Sequence, residues 1–197
     1  MRDEVISGGR IGPNALTQLL PLLEKAGGAD LRQAMLLEAG IVTLPDLSEL
    51  IDEAPVARLH QVMRAELPDL APALAWQAGL RTADYILANR IPGGVQILLR
   101  ALPAPLAAPI LTRAIARNAW TFAGSGRFEV ASKAPLVLAI HDNPVVRGEF
   151  ADHMLCDWHR AVFERLYRVL AHDGYRVREV SCCAMGAAAC RFEITRA

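Results

Sequence analysis

The stretch Gly174-Tyr-Arg-Val-Arg-Glu-Val-Ser-Cys-Cys-Ala-Met-Gly-Ala-Ala-Ala-Cys-Arg-Phe-Glu-Ile194 decides the fold class. Tyr175 to Ser181 reads as a strand, and Cys190 to Ile194 alternates apolar and polar residues cleanly. That period of two marks half-buried strands. Gly186 lies in the turn between them, so the two runs form a hairpin, which requires an antiparallel sheet.

Upstream of this hairpin, a helix is expected from Asp152 or His153 to His172, with Leu155, Val162, Leu166 and Val169 along one side and Asp173-Gly174 as its stop. Before it, Arg127 to Val130 alternates like a strand. Leu136 to Ile140 is a short apolar run of the kind buried strands have, closed by Asp142-Asn143-Pro144. The character changes at Gly124-Ser-Gly126. The first 120 residues read as nearly all helix, with segments at Pro13–Ala26 (stopped by Gly27-Gly28), Leu31–Ala39, Pro55–Glu66, Asp69–Asn89, Val95–Leu102 and Pro105–Trp120. Pro45 to Ile51 reads as a short turn or helix. The order of helices, hairpin, helix, hairpin is an α+β arrangement, a helical N-terminal part with a small antiparallel sheet of two hairpins. Residues 1–12, rich in glycine, are expected to form a flexible lead. Residues 13–197 are expected to form one domain, with a metal-binding portion at 126–197.

A chain of 197 residues can bury one substantial core. Lys+Arg and Asp+Glu both number 21, so the formal net charge is zero, and neither a basic stripe for nucleic acid nor a polybasic run for anionic lipid is apparent. The N-terminus Met1-Arg2-Asp3-Glu4 lacks the apolar segment of a signal peptide, and apolar runs are broken well short of a membrane span. These features predict a cytoplasmic protein.

All four cysteines lie in the last fifth of the chain: Cys156, Cys182, Cys183 and Cys190, with Glu179 among them. Three thiolates and a carboxylate suit Zn²⁺ in a tetrahedron. Two other readings stand beside that one: buried thiols acting as small hydrophobes, and a disulfide, which the expected compartment disfavours. Adjacent Cys182-Cys183 allows several pairings. A hairpin would bring Cys182 and Cys190 together. Cys156 would lie in the first turn of its helix, where the dipole favours the thiolate. Glu179 and Cys182 are three residues apart and would face opposite sides of a regular strand, so one site for both demands a bulge or turn at Ser181. Four anionic donors around Zn²⁺ leave about two excess negative charges, and Arg176, Arg178 and Arg191 are the expected counter-charges.

The segments Cys156-Asp157-Trp158, Val177-Arg178-Glu179-Val180-Ser181-Cys182, Gly186 and Cys190-Arg191-Phe192-Glu193-Ile194 resemble the 4-vinyl-reductase domain family. Sensor domains of phenol- and xylene-responsive activators belong to that family and hold zinc with a Cys, Glu, Cys, Cys set. The resemblance implies the ligands Cys156, Glu179, Cys182 and Cys190, with Cys183 outside the set. The opening Gly9-Arg10-Ile11-Gly12-Pro13-Asn14-Ala15, with Leu19-Leu20, is similar to the bacteriochlorophyll-biosynthesis branch of the family. The chain departs from the family after Cys156, where His159, Arg160 and Phe163 replace a small glycine-rich face.

The resemblance implies a ligand-binding fold, related to the core of Golgi-tethering subunits, that buries an apolar molecule. For the bacteriochlorophyll branch that molecule is a magnesium tetrapyrrole such as protochlorophyllide, and the family name implies reduction of its vinyl group. A reductase needs a hydride or electron source. No strand leads into GxGxxG and a helix, and Gly124-Ser-Gly126 is a short match that a loop explains. With zinc on three of the cysteines, no spare set remains for an iron–sulfur cluster. Axial donors to Mg²⁺ are available among His60, His141, His153, His159 and His172, with His153 and His159 nearest the cysteine site. Trp76, Trp120 and Trp158 offer stacking surfaces or ordinary core packing. Leu98, Leu99, Leu102, Leu106, Ile110 and Leu111 suit a pocket, a core or a dimer face. Asp84, Glu129 and Asp142 show no acid–base spacing.

The expected function is therefore a non-catalytic carrier that binds a magnesium-porphyrin intermediate and presents it to pathway enzymes. The alternatives are a vinyl reductase with an external electron donor and, more weakly, a ligand-sensing module. Homodimerisation is expected through Leu16, Leu19, Leu20 and Leu23 or through Leu98, Leu102 and Leu106.

Overall fold

The structure is a computed structural model that describes residues 8–46 and 48–196. Its elements run β1 (Arg10–Ile11), α1 (Asn14–Thr17), α2 (Leu20–Glu38), β2 (Ile51–Asp52), α3 (Glu53–Glu66), α4 (Ala71–Asn89), α5 (Gly93–Ala101), α6 (Ala104–Arg117), α7 (Trp120–Ala123), β3 (Arg127–Lys133), β4 (Leu136–His141), α8 (Asp157–Leu170), β5 (Tyr175–Ser181) and β6 (Ala189–Arg196). Short 3-10 turns cover Pro144–Val146 and Cys183–Met185. The α+β class holds. The two hairpins β3–β4 and β5–β6 join through β4 and β6 into one antiparallel sheet of order β3-β4-β6-β5.

Several local expectations change. Residues 1–7 of the expected lead lie outside the described residues, but Arg10 and Ile11 pair with Asp52 and Ile51 as a small second sheet. The apolar side chain of Ile11 explains this, because it is buried where β1 meets α7. As expected, helical geometry breaks at Gly27-Gly28, whose backbone angles are non-helical, so α2 is two helical segments meeting at a kink. The long helix expected to reach Trp120 stops at Arg117, and Trp120 opens α7. The last helix starts at Asp157, not at Asp152 or His153. Cys156 has non-helical backbone angles, and its N–H is given to the Glu179 carboxylate at 2.9 Å.

Helix α8 lies against the inner sheet face and is covered in turn by α4, so nine of its fourteen residues are buried. Phe122, Phe128, Phe163 and Phe192 interlock edge to face there, with centroids 5.2–6.5 Å apart. Each such ring contributes about 1.5–3 kcal/mol by leaving water. Tyr167 ends its burial at a 2.6 Å hydrogen bond with Thr112. Edge strand β5 is blunted from the helix side, where Glu164 accepts the Val177 N–H at 3.0 Å.

The α4–α8 contact is close because α4 presents Ala75, Ala78, Gly79, Thr82 and Ala83 to it. The small face absent from α8 is thus supplied by the partner helix. A Cβ at Gly79 would sit 2.4 Å from the Trp158 carbonyl oxygen and 2.7 Å from Ala161 Cβ. The obstacle is backbone, which no rotamer relieves. Gly79→Ala is expected to cost about 2–3 kcal/mol by prying the helices apart, despite the better helix propensity of alanine. Urea denaturation checks this, and a variant as stable as the parent would refute the close contact.

Gly124-Ser-Gly126 also receives a structural account. The buried carboxylate of Glu53, at the start of α3, accepts the Ser125 N–H at 2.7 Å and an Arg147 N–H at 3.1 Å. A Cβ at Gly9 or Gly124 would lie within 2.4 Å of this carboxylate. The short glycine motif is therefore an anchor for an internal anion, joining α3, β3 and the turn after β4.

Candidate metal centre

Cys156, Glu179, Cys182 and Cys190 meet at one buried point, with one donor atom from each lying within 4.8 Å of all the others. Cys156 Sγ is 3.3 Å from Cys190 Sγ and 4.0 Å from Cys182 Sγ, and the last two are 4.0 Å apart. A tetrahedral Zn²⁺ with Zn–S of about 2.3 Å requires sulfurs about 3.8 Å apart. The observed spacings bracket that value.

Each donor arrives for a local reason. Cys156 caps α8. The strand register jumps between Glu179 and Ser181, leaving Val180 as the extra, outward residue of a β-bulge. The required irregularity thus sits one residue before Ser181, and it turns Glu179 and Cys182 to the same side. The 3-10 turn after Cys182 ends on Gly186, whose φ of 83° favours glycine, and the chain returns to Cys190 in β6.

The carboxylate is half engaged. Glu179 Oε2 accepts the Cys156 N–H, whereas Oε1 is buried without a hydrogen-bond partner. A carboxylate oxygen without a hydrogen-bond partner beside three sulfurs has the chemistry of a metal-ligand atom. With protein groups alone, burial pushes the Glu179 carboxyl up to about 8. Burial also pushes the Cys156 thiol well above its usual range, against the direction expected from the helix terminus. Cys182 is held low by S–H donation from Cys156 and Cys190. These groups cannot all ionise together unless a cation joins them.

The expected arginine counter-charges are not there. Arg176 and Arg178 alternate with Val177 and Glu179 and so project from the outer sheet face, where Arg178 pairs with Glu193. Arg191 likewise alternates with buried Cys190 and Phe192. The sulfurs instead receive N–H donors. Cys183 N–H reaches Cys190 Sγ at 3.3 Å, and the Leu155 and Ala184 backbone N–H groups help to hold the Cys182 thiol low. Fully buried Asn143 donates Nδ2 to Cys156 Sγ at 3.4 Å while its Oδ1 caps Val145. Its place before Pro144 marks a turn in the sequence, and nothing there signals a contact with Cys156.

The other candidates disperse. Trp158 is buried, with Nε1–H donated to Thr82. His159 is buried, with Nε2–H donated to the Phe122 carbonyl. Trp76 carries the Arg160 guanidinium 4.6 Å above its ring, and Trp120 is exposed before Thr121. His153, paired with Asp152, alone of these five candidates lines a groove of about 310 Å³ between α3, α4 and the segment leading to Cys156.

Residues 136–196 match the model of the 4-vinyl-reductase domain, which spans β4 through β6 and includes all four donors. Over its whole length the chain is 50% identical to the bacteriochlorophyll synthase 23 kDa chain of Cereibacter sphaeroides, across 98% of this chain and 96% of that one. The protein belongs to the 4-vinyl-reductase domain family. The bacteriochlorophyll synthase 23 kDa chain of Rhodobacter capsulatus is 42% identical to it over 93% of this chain and 85% of its own. The fold of this 4-vinyl-reductase domain protein is also similar to crystal structures of H-NOX proteins. That from K. algicida has a TM-score of 0.57 at 12% identity, covering 95% of this chain and 96% of that one. That from S. oneidensis, in its Fe(II)NO ligation state, has a TM-score of 0.53 at 10% identity, covering 95% and 99%. At such identities the likeness is one of fold. Among the described residues no helix is long and apolar enough to cross a membrane.

Proposed function

We propose that this 4-vinyl-reductase domain protein serves bacteriochlorophyll biosynthesis as a zinc-stabilised carrier of a magnesium-tetrapyrrole intermediate. The observation that carries the zinc reading is the closed donor set: three sulfurs at tetrahedral spacing with an orphaned carboxylate oxygen beside them. Cys156, Glu179, Cys182 and Cys190 would hold the ion. Four protein donors leave no open position, so zinc would act as a cross-link between α8, β5 and β6. The pathway assignment rests on the names of the relatives at 50% and 42% identity.

The groove beside the metal centre is the proposed pigment site. Its walls are Ala65, Pro68, Ala71, Pro72, Ala75, Met154 and Leu155, with the Arg64–Glu149 ion pair at one side and His153 supplying a nitrogen donor. At about 310 Å³ it is small for a ligand site, and it would grip one edge of a macrocycle and leave the rest exposed for hand-over. Leu155 and Asp157 flank Cys156, and Ala151 N–H is tied to the Ala184 carbonyl at 2.9 Å. One wall of the groove therefore hangs from the metal centre.

The test is incubation of the purified protein with divinyl protochlorophyllide and either NADPH or reduced ferredoxin. The expected result is a stoichiometric shift of the pigment spectrum with both vinyl groups retained. Ala65→Trp, on the groove wall, should weaken that binding roughly tenfold, by about 1.4 kcal/mol. Catalytic loss of the vinyl group would overturn the carrier reading in favour of a reductase. Binding unchanged in Ala65→Trp would remove the pigment from the groove.

A further inference from the structure

Helices α5 and α6 each bury one apolar side and leave further large aliphatic side chains exposed. Of the nine residues of α5 only Leu99 is buried, while Ile97 and Leu98 are 70% and 59% exposed. On α6, Leu106 is 57% exposed and Ile110, one turn on, 45%. Arg113 and Arg117 continue the same i, i+3/i+4 stripe and are exposed too. Of the stripes from which a dimer is expected, Leu16, Leu19, Leu20 and Leu23 belong to the interior, so the α5–α6 face is the one left uncovered.

The charge around this face is one-sided. Residues 85–128 contain five arginines and no aspartate or glutamate, although the whole chain is neutral. Arg100, Arg113 and Arg117 have no acidic partner among the described residues. Arg100, Arg113 and Arg117 are thirteen and four residues apart, so no polybasic run betrays them, and Arg113 and Arg117 fall on the exposed stripe of α6.

We infer that the α5–α6 face docks onto an anionic lipid surface. Helices with aliphatic side chains on one side and arginines beside them lie in the headgroup region of a bilayer, where burial of the apolar face and attraction to anionic lipid act together. Each arginine near such a surface adds to that attraction, and salt screens it. A second copy of the chain fits the face less well. A two-fold interface would set this acid-free patch against itself, arginines facing arginines with no carboxylate between them. The face uses neither the metal donors nor the groove, so the inference is independent of the pigment reading.

Co-sedimentation of the full chain with vesicles tests it. The protein is expected to pellet with phosphatidylcholine vesicles containing roughly one-third phosphatidylglycerol, and binding is expected to weaken by roughly tenfold or more at high salt or on phosphatidylcholine alone. Ile97→Asp combined with Leu106→Asp should abolish pelleting. These side chains are exposed, so metal content and thermal midpoint should stay at parental values. Arg113→Glu with Arg117→Glu should remove the preference for anionic lipid. Failure to pellet with any vesicle overturns the inference. So does a light-scattering dimer that the Ile97→Asp and Leu106→Asp pair converts to monomer, because a second copy would then own the face.

Discussion

Cys190→Ser is expected to purify without zinc and to unfold far more easily than the parent, whereas Cys183→Ser is expected to keep about one zinc per chain and the parental midpoint. The two thiols are seven residues apart, and only one faces the centre. Cys190 Sγ stands 3.3 Å from Cys156 Sγ. Cys183 takes part through its backbone N–H, which a serine retains, while its own sulfur points toward the Ile140 carbonyl at 3.9 Å. A hydroxyl at position 190 is a poor zinc ligand and leaves two thiols and a carboxylate buried together without a cation. Structural zinc sites have apparent binding energies of about 10–16 kcal/mol in small peptides. Loss of the ion here would release β5, β6 and the start of α8 from one another. Metal analysis of the dialysed variants, with thermal melts in the presence and absence of chelator, reads both effects. Equal zinc loss from both variants would show that the ligand set is wrong. A parent that carries no zinc and is indifferent to chelator would sink the site altogether.

The second large effect is acid destabilisation through two core histidines. His60 and His159 are both fully buried, and each has Nε2 about 3 Å from a carbonyl oxygen, Ala15 at 3.0 Å and Phe122 at 3.1 Å. A carbonyl only accepts, so each ring carries its proton on Nε2, and each Nδ1 is buried without a partner. A second proton would have no acceptor. Burial accordingly lowers His60 to about 3 and His159 to about 4. The unfolded chain takes up these protons near 6.5, the folded chain only near 3 to 4. In that window the unfolded state binds more protons, so stability is complete above about 6.5 and falls as pH drops. At pH 5 the loss is roughly 2 kcal/mol for each ring. Urea denaturation from pH 7 to pH 5 should show this slope, and His60→Leu with His159→Leu should flatten it whatever the variant's absolute stability. Should that variant fail to fold, nitrogen NMR of the parent decides. Neutral Nε2–H rings at pH 5 support the account, and imidazolium at pH 5 rejects it.

The element pattern of the last seventy residues was readable because alternation and turn residues report local conformation directly. Residue types alone left Cys182 and Cys183 open as alternatives, and the set Cys156, Glu179, Cys182 and Cys190 came from the family resemblance, whereas the odd spacing of Glu179 and Cys182 called for an irregularity at Ser181 that the structure places at Val180. Periodicity separates one face of a strand from the other, but it does not say which face meets the helix. That is why Arg176, Arg178 and Arg191 were expected at the centre and lie on the far side of the sheet. Asn143 reaches Cys156 only because β4 ends beside the cap of α8, and the backbone N–H donors of Leu155, Cys183 and Ala184 carry no side-chain signature at all.

The histidines and tryptophans divided on the same principle. Their types told that they can ligate or stack, while burial against α3, α4 and α7 assigned His60, His159 and Trp158 to the core and left His153 at the groove. In α5 and α6 the apolar spacing alone suited a core, a pocket or an interface equally. The fold settles exposure there, because α8 is already covered by α4 and the sheet and offers those helices only the strip taken by Leu99, Leu111 and Ile115. Local sequence thus reported the period of each helix and strand, since that follows from neighbours along the chain. The direction each face takes, and what it meets, was decided by contacts between segments far apart in sequence, which only the closed tertiary packing brings into being.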